Sequence, residues 1–133
     1  MNKRDRDHFD RLLEQVLNDL PEQVHELLEE VPLLVEDYPA NDVLETFDLQ
    51  YRDDLCGLHD GIPLTDRSVE ASHESGIPDH IIIYREAITA HAADGAARAT
   101  DDALRREIRI TILHELGHHF GLDEDDLTKL GYG

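Results

Sequence analysis

The stretch from His114 to Glu124 reads His-Glu-Leu-Gly-His-His-Phe-Gly-Leu-Asp-Glu and has the spacing of a metal site. His114 and His118 lie four residues apart, so on an α-helix both imidazoles leave the same face, with Glu115 beside them. Two imidazoles and one further protein group can hold zinc and leave a fourth position for water, whose pKa then falls toward about 7. Glu115 is the candidate base for the proton of that water. The pattern therefore predicts a zinc site with hydrolytic chemistry.

A third ligand is expected from the acidic cluster at residues 123–126, which follows the two histidines closely. Glu124 lies ten positions after His114, which is the spacing of the third ligand in the extended motif H-E-x-x-H-x-x-G-x-x-H. A carboxylate can bind zinc through oxygen. We therefore expect Glu124 to be the third ligand, with Asp123 and Asp125 as the alternatives.

Two histidines on one helix are more often surface residues than metal ligands, and H-E-x-x-H also occurs by chance. Here the motif lies on an apolar helix, and the acidic cluster follows it after a turn. That turn is expected at Gly121, just past the helix end at Phe120, because glycine adopts positive φ without strain. The surroundings thus favour zinc binding over the chance interpretation.

The helix that carries the motif is predicted to begin at a cap, Thr100 or Asp101, and to run to Phe120. Its apolar stripe consists of Leu104, Ile108, Ile112, Leu116 and Phe120, widened by Ile110 and Leu113. Gly117 costs about 1 kcal/mol relative to alanine, which indicates a close approach by backbone or substrate. His119 points about 100° away from His118, so it should miss the metal and serve as a positive or hydrogen-bonding group near the helix end.

Periodicity predicts the other elements. Helices are expected at Asp5–Leu20, from Pro21 to about Glu30, at Asp42–Phe47 as a single turn, at Ala87–Ala93 and at Asp123–Leu130; strands are expected at Val31–Glu36, Leu55–His59 and His80–Arg85; loops are expected at 61–68, structured, and 72–79, flexible. Pro32 limits the first strand to an edge of the sheet, or is itself the residue at which the strand is entered. The β-branched run from Ile81 to Tyr84 is the strongest strand, and we expect an extended substrate to add to an exposed sheet edge near it.

Length and composition indicate one domain, residues 1–133, without a membrane-spanning segment. The chain opens on an amphipathic helix rather than an apolar leader, so a cytoplasmic location is expected. Cys56 is the only cysteine and is expected to be a small buried apolar residue. The formal net charge of −19 excludes a basic nucleic-acid-binding face.

The order and spacing of several blocks resemble the small zincin-like metallopeptidases of bacteria, the mini-zincins. The matching blocks are residues 33–37, 57–68, 78–85, 114–123 and 130–132. The resemblance implies an α+β fold, with a small sheet of about three strands packed on an active-site helix and flanking helices. It also implies zinc as cofactor, with His114 and His118 as ligands and Glu115 as base. Where the family usually offers an aspartate as third ligand, this chain has Glu124.

The leading hypothesis is a zinc metallopeptidase that acts on a peptide or protein substrate, with Glu115 as general base. The alternative is a zinc-binding interaction or regulatory module without turnover. A third hypothesis, metal-dependent hydrolysis of RNA, is opposed by the negative charge. Tyr132 could donate to an oxyanion at the site, but packing or a surface hydrogen bond is its expected role.

Overall fold

The computed structural model describes residues 1–60, 79–122 and 124–129 of the chain. In order, the elements are α1 (Lys3–Asp19), α2 (Glu22–Glu30), β1 (Leu33–Glu36), α3 (Asn41–Thr46), β2 (Gly57–Asp60), β3 (His80–Tyr84), α4 (Arg85–Ala93), α5 (Asp101–Phe120) and α6 (Glu124–Lys129). The structure combines helices with one three-stranded sheet, so the predicted α+β class is confirmed. The predictions for the segments 61–68 and 72–78, for Asp123 and for Tyr132 lie outside the described residues.

The sheet has β3 at its centre, parallel to β1 and antiparallel to β2. Ile81 and Ile83 are fully buried, as a β-branched run in a central strand should be. β3 itself therefore cannot offer the expected substrate edge, because both of its edges are already paired. Within the described part of the chain, the outer edges of the sheet belong to β1 and β2.

The core lies between one face of the sheet and the two long helices α1 and α5. Helix α1 begins at Asn2, whose side-chain oxygen accepts a hydrogen bond from the Asp5 backbone N–H at 2.8 Å. Its buried stripe of Phe9, Leu12, Leu13 and Val16 joins the stripe of α5 and the inward residues of β3 in one cluster. The central helix α5 is thus held from two sides.

Helix α5 has the predicted ends. The Thr100 hydroxyl accepts a hydrogen bond from the Ala103 backbone N–H at 3.1 Å. At the other end Gly121 has φ 67°, and the Leu122 N–H donates to the Gly117 carbonyl at 2.8 Å. With the Gly121 N–H donating to the His118 carbonyl at 3.4 Å, this is a Schellman motif. It reverses the chain immediately after the motif histidines.

The prediction for Ile110 is wrong, since this side chain is 49% exposed. Ile110 lies two residues from both Ile108 and Ile112, which places it about 200° around the helix from each. The stripe widens instead through Thr111 and Glu115, which are buried on the side of α5 that contacts β2.

Candidate metal centre

The two motif histidines lie side by side on the exposed face of α5. The ring centroids of His114 and His118 are 4.5 Å apart, and the ring planes meet at 66°. The His118 side chain is 55% exposed. The spacing of four residues therefore gives a pair of accessible imidazoles one helical turn apart.

Glu115 lies between them in sequence but points inward, and the residue is only 7% exposed. Burial raises the pKa of its carboxyl group, while the nearby His114 and a hydrogen bond from the His59 backbone N–H act in the opposite direction. Its Oε2 lies 3.6 Å from Nδ1 of His118. The carboxylate thus lies under the histidine pair, shielded from bulk water and held from the sheet side.

Strand β2 reaches Glu115 because residue 57 is glycine. A Cβ atom at Gly57 would lie 2.8 Å from Cγ2 of Thr111 and 3.0 Å from Cγ of Glu115. Such distances are too short for a methyl group, so only glycine lets the strand lie this close to the helix. A close approach of this kind is thus observed at Gly57 on β2, and the one that Gly117 suggests from the sequence stays a prediction.

The chain returns toward this end of α5 through the turn at Gly121 and begins α6 at Glu124. Asp125 is exposed and Asp126 is half-buried. The described donors, two accessible imidazoles beside a carboxylate, are of the types that zinc prefers. The third ligand remains the sequence-based prediction of Glu124, with Asp125 and Asp123 as alternatives.

His119 lies about 100° around the helix from His118 and is buried, at 4% exposure. Its Nδ1 lies 2.8 Å from Nε2 of His59 and 3.7 Å from Oδ2 of Asp79. His119 is therefore a hydrogen-bonding residue near the helix end, as its position predicts. Its partners, on β2 and directly before β3, were missed by sequence reasoning, because the pairing of a strand with a helix 60 residues away leaves no local signal.

His59, Asp79 and His119 are also residue types that bind metals, and their nearest donor atoms all lie within 4.8 Å of one another. Gly57 and His59 are two residues apart on β2, so both point to the same face of the strand. This alternation is the one sequence signal that links His59 to the helix. Because Gly57 lies against α5, the side chain two residues later on the same strand also points toward α5.

Comparison with known families identifies the class. A family model described as zincin-like metallopeptidase matches residues 28–133 of the chain. The chain therefore belongs to the zincin-like metallopeptidase family, which supports zinc as cofactor and peptide hydrolysis in general terms. None of the curated proteins searched matches the chain. Among the helices in the described ranges, none is long and apolar enough to cross a membrane.

Proposed function

We propose that this protein is a zinc-dependent peptidase in which Glu115 is the general base. The observation that carries the proposal is the burial of Glu115 beneath two exposed imidazoles of the same helix. A general base works best when its pKa lies near the working pH, and burial shifts the Glu115 pKa upward in that direction. A carboxylate that served only solubility would face solvent and keep its ordinary pKa.

In this proposal His114 and His118 hold the metal, together with Glu124 or one of its acidic neighbours. When bound, zinc supplies a Lewis acid that polarises the peptide carbonyl and lowers the pKa of water to about 7. Glu115 accepts the proton of the attacking water and passes it to the leaving amine nitrogen as the peptide bond breaks. Because little water reaches Glu115, its hydrogen bonds to the attacking water and to the leaving amine are stronger than they would be in bulk solvent.

The substrate is proposed to bind as an extended strand along β2 rather than along β3. In the described residues β2 pairs with β3 on one side only, and it is the strand that contacts α5 beside Glu115. A peptide strand that adds there pairs with backbone groups of the β2 edge other than the His59 N–H, which donates to Glu115. The observed strand order thus places the proposed binding edge next to the proposed base.

The variant Glu115→Gln tests the role of the base. The amide keeps the shape and the acceptor oxygen for the His59 N–H but cannot accept the proton. We expect zinc content to be unchanged and cleavage of a quenched fluorescent peptide library to fall by about a hundredfold or more. Equal cleavage by both forms would disprove the proposal, and zinc binding without cleavage by the wild type would favour the non-catalytic module.

Metal content identifies the ligands. Mass spectrometry on protein purified without chelator should give about one zinc per chain for the wild type and little for His118→Ala. Glu124→Ala should also lose zinc, whereas loss only in Asp125→Ala or Asp123→Ala would move the third ligand. His25→Ala is the matched control, because His25 is an exposed histidine on α2. A metal-free wild type that takes up no added zinc would contradict the proposal.

A further inference from the structure

We propose that His59 and His119 are positioning residues that fix Glu115 from the sheet side. The inference rests on the function proposed above. It assigns a role to His59 and His119, which do not take part in the proposed metal binding by His114 and His118. His59 makes two contacts with α5: its side chain meets His119, and its backbone N–H donates to the Glu115 carboxylate. One residue of β2 thus links the buried histidine to the proposed base.

The geometry fixes the rotation of the strand against the helix. His119 is buried, and its ring contacts His59 edge to face, with centroids 4.8 Å apart and planes at 71°. Asp79 lies 3.7 Å from the same His119 nitrogen that meets His59. With Gly57 pressed against Glu115, β2 is held to α5 at two points on one strand face. The backbone of β2 from Gly57 to His59 is therefore fixed in position against Glu115.

A second metal site is the competing use of His59, Asp79 and His119, since two imidazoles and a carboxylate are common ligands. Two nitrogens bound to one tetrahedral zinc, each about 2.0–2.1 Å from the metal, lie about 3.3 Å apart. The observed separation of 2.8 Å between the two ring nitrogens is instead that of a hydrogen bond. The distance favours a proton shared between the rings over a cation.

The test compares His119→Leu, which removes the ring nitrogens, with His119→Asn, whose amide places a polar atom at the position of Nδ1. The first readout is hydrogen exchange of the His59 amide, measured by NMR on metal-free protein. Exchange should become about five- to tenfold faster in His119→Leu and return toward wild type in His119→Asn. The control His25→Leu alters an exposed histidine on α2 and should leave the exchange rate of this amide unchanged.

If His119→Leu fails to fold by circular dichroism, His59→Leu takes its place, because it removes the other ring and keeps the backbone N–H under observation. An exchange rate unchanged by the leucine variants, or raised equally by leucine and asparagine at position 119, would overturn the inference. A second zinc per chain in the wild type that is lost in His119→Leu and in Asp79→Asn would also overturn it in favour of a metal site.

Kinetics separate this inference from the proposed function. Where the wild type cleaves peptide, His119→Leu should keep about one zinc and an unchanged KM while kcat falls roughly tenfold, and His119→Asn should recover most of that loss. A fall in zinc content to the level of His118→Ala would contradict a positioning role. If the wild type neither binds zinc nor cleaves, the proposed function fails, and the amide exchange still decides whether His119 fixes the His59 N–H.

Discussion

At the scale of single residues, the buried position of Glu115 favours its proposed role as a base but lowers the stability of the fold. The carboxylate is buried, and burial raises its pKa because the charged form loses hydration. For an acid whose folded pKa is raised, the ionised form destabilises the fold, so stability is highest below the unfolded pKa and falls as pH rises through the folded pKa. Residues placed for reaction commonly carry such a cost.

The stability of Glu115→Gln measures that cost. In metal-free protein at pH 7, the variant should unfold at a temperature a few degrees higher than wild type, corresponding to about 1 kcal/mol, because a neutral amide replaces a buried charge. Differential scanning calorimetry in the presence of chelator checks this. Glu26→Gln, on the exposed side of α2, is the matched control and should change little. A lower unfolding temperature for Glu115→Gln would show that the carboxylate stabilises the fold.

Cys56 is the second residue whose chemistry the surroundings change. It is half-buried between the two apolar clusters, and burial, with Glu107 and Glu115 nearby, raises the pKa of its thiol to about 11. At pH 8 the reactive thiolate is therefore scarce. We expect alkylation by iodoacetamide, followed by mass spectrometry, to be about a hundredfold slower in native protein than in urea-unfolded protein. Equal rates in the two states would contradict the assigned environment.

Residue types and spacing were enough to predict that His114 and His118 lie on one face of a helix, because the repeat of a helix is a local property. Their role as ligands, with Glu115 as base, stays a prediction. The contacts of His119 could not be predicted in the same way. Its burial depends on β2 lying across the last turns of α5, and that arrangement depends on contacts between residues 60 positions apart. Ile110 is a different case, since the helical repeat already places it about 200° from Ile108 and Ile112, away from the buried stripe.

At the scale of elements, the contact between β2 and α5 is the feature on which the site depends. Gly57→Ala should push the strand from the helix, because Thr111 cannot move aside easily: its hydroxyl donates to the Glu107 carbonyl at 2.8 Å, and a β-branched side chain has little rotamer freedom on a helix. We expect a loss of about 1–3 kcal/mol in urea unfolding and a loss of hydrolysis with zinc retained.

Gly95→Ala provides a contrast for Gly57→Ala. A Cβ atom at Gly95 has no neighbour within 4 Å, so its cost arises from the positive φ of 84° alone and leaves the site intact. Gly57→Ala should therefore lower activity, whereas Gly95→Ala should lower stability only. Full activity in Gly57→Ala would show that the strand does not position Glu115.

Most helices and strands follow from periodicity, capping and β-branched runs, and they begin or end within a few residues of the predicted bounds. The order of the strands does not follow from these signals. The run Ile81–Ile83 indicates a buried strand, but only the two partners β1 and β2, which come earlier in the chain, make it central. Pro32 did indicate an edge strand, because proline lacks the N–H that a central position requires.

At the scale of the whole molecule, an ion-pair network joins α1, the residue directly after β1 and α4. The Asp37 carboxylate accepts hydrogen bonds from Arg6 at 2.6 Å and from Arg85 at 2.9 Å, and Arg85 also donates to Asp10 at 2.9 Å. The Arg6 hydrogen bond is the main cause that lowers the pKa of Asp37 to about 2; burial opposes it, and Arg85 adds to the lowering. In a chain with a formal charge of −19, these arginines are placed where three elements meet.

This network predicts how the fold responds to acid. An acid with a lowered folded pKa contributes stability above its unfolded pKa near 4, and that contribution is lost as pH falls toward about 2. Asp37→Asn should therefore lower the free energy of unfolding at pH 7 by about 1–2 kcal/mol, since solvent around Arg6 screens part of the interaction. The difference from wild type should shrink between pH 5 and pH 3 in urea titrations.

The control Asp53→Asn changes an exposed aspartate and should leave the free energy of unfolding nearly unchanged at each pH. Because it removes the same formal charge, it corrects for the general effect of lowering the net charge of an acidic chain. A stability difference between Asp37→Asn and wild type that stays constant from pH 7 to pH 3 would mean that the carboxyl group acts through packing rather than charge. A difference that disappears in the acid range would show that the arginine pairs hold α1, β1 and α4 together.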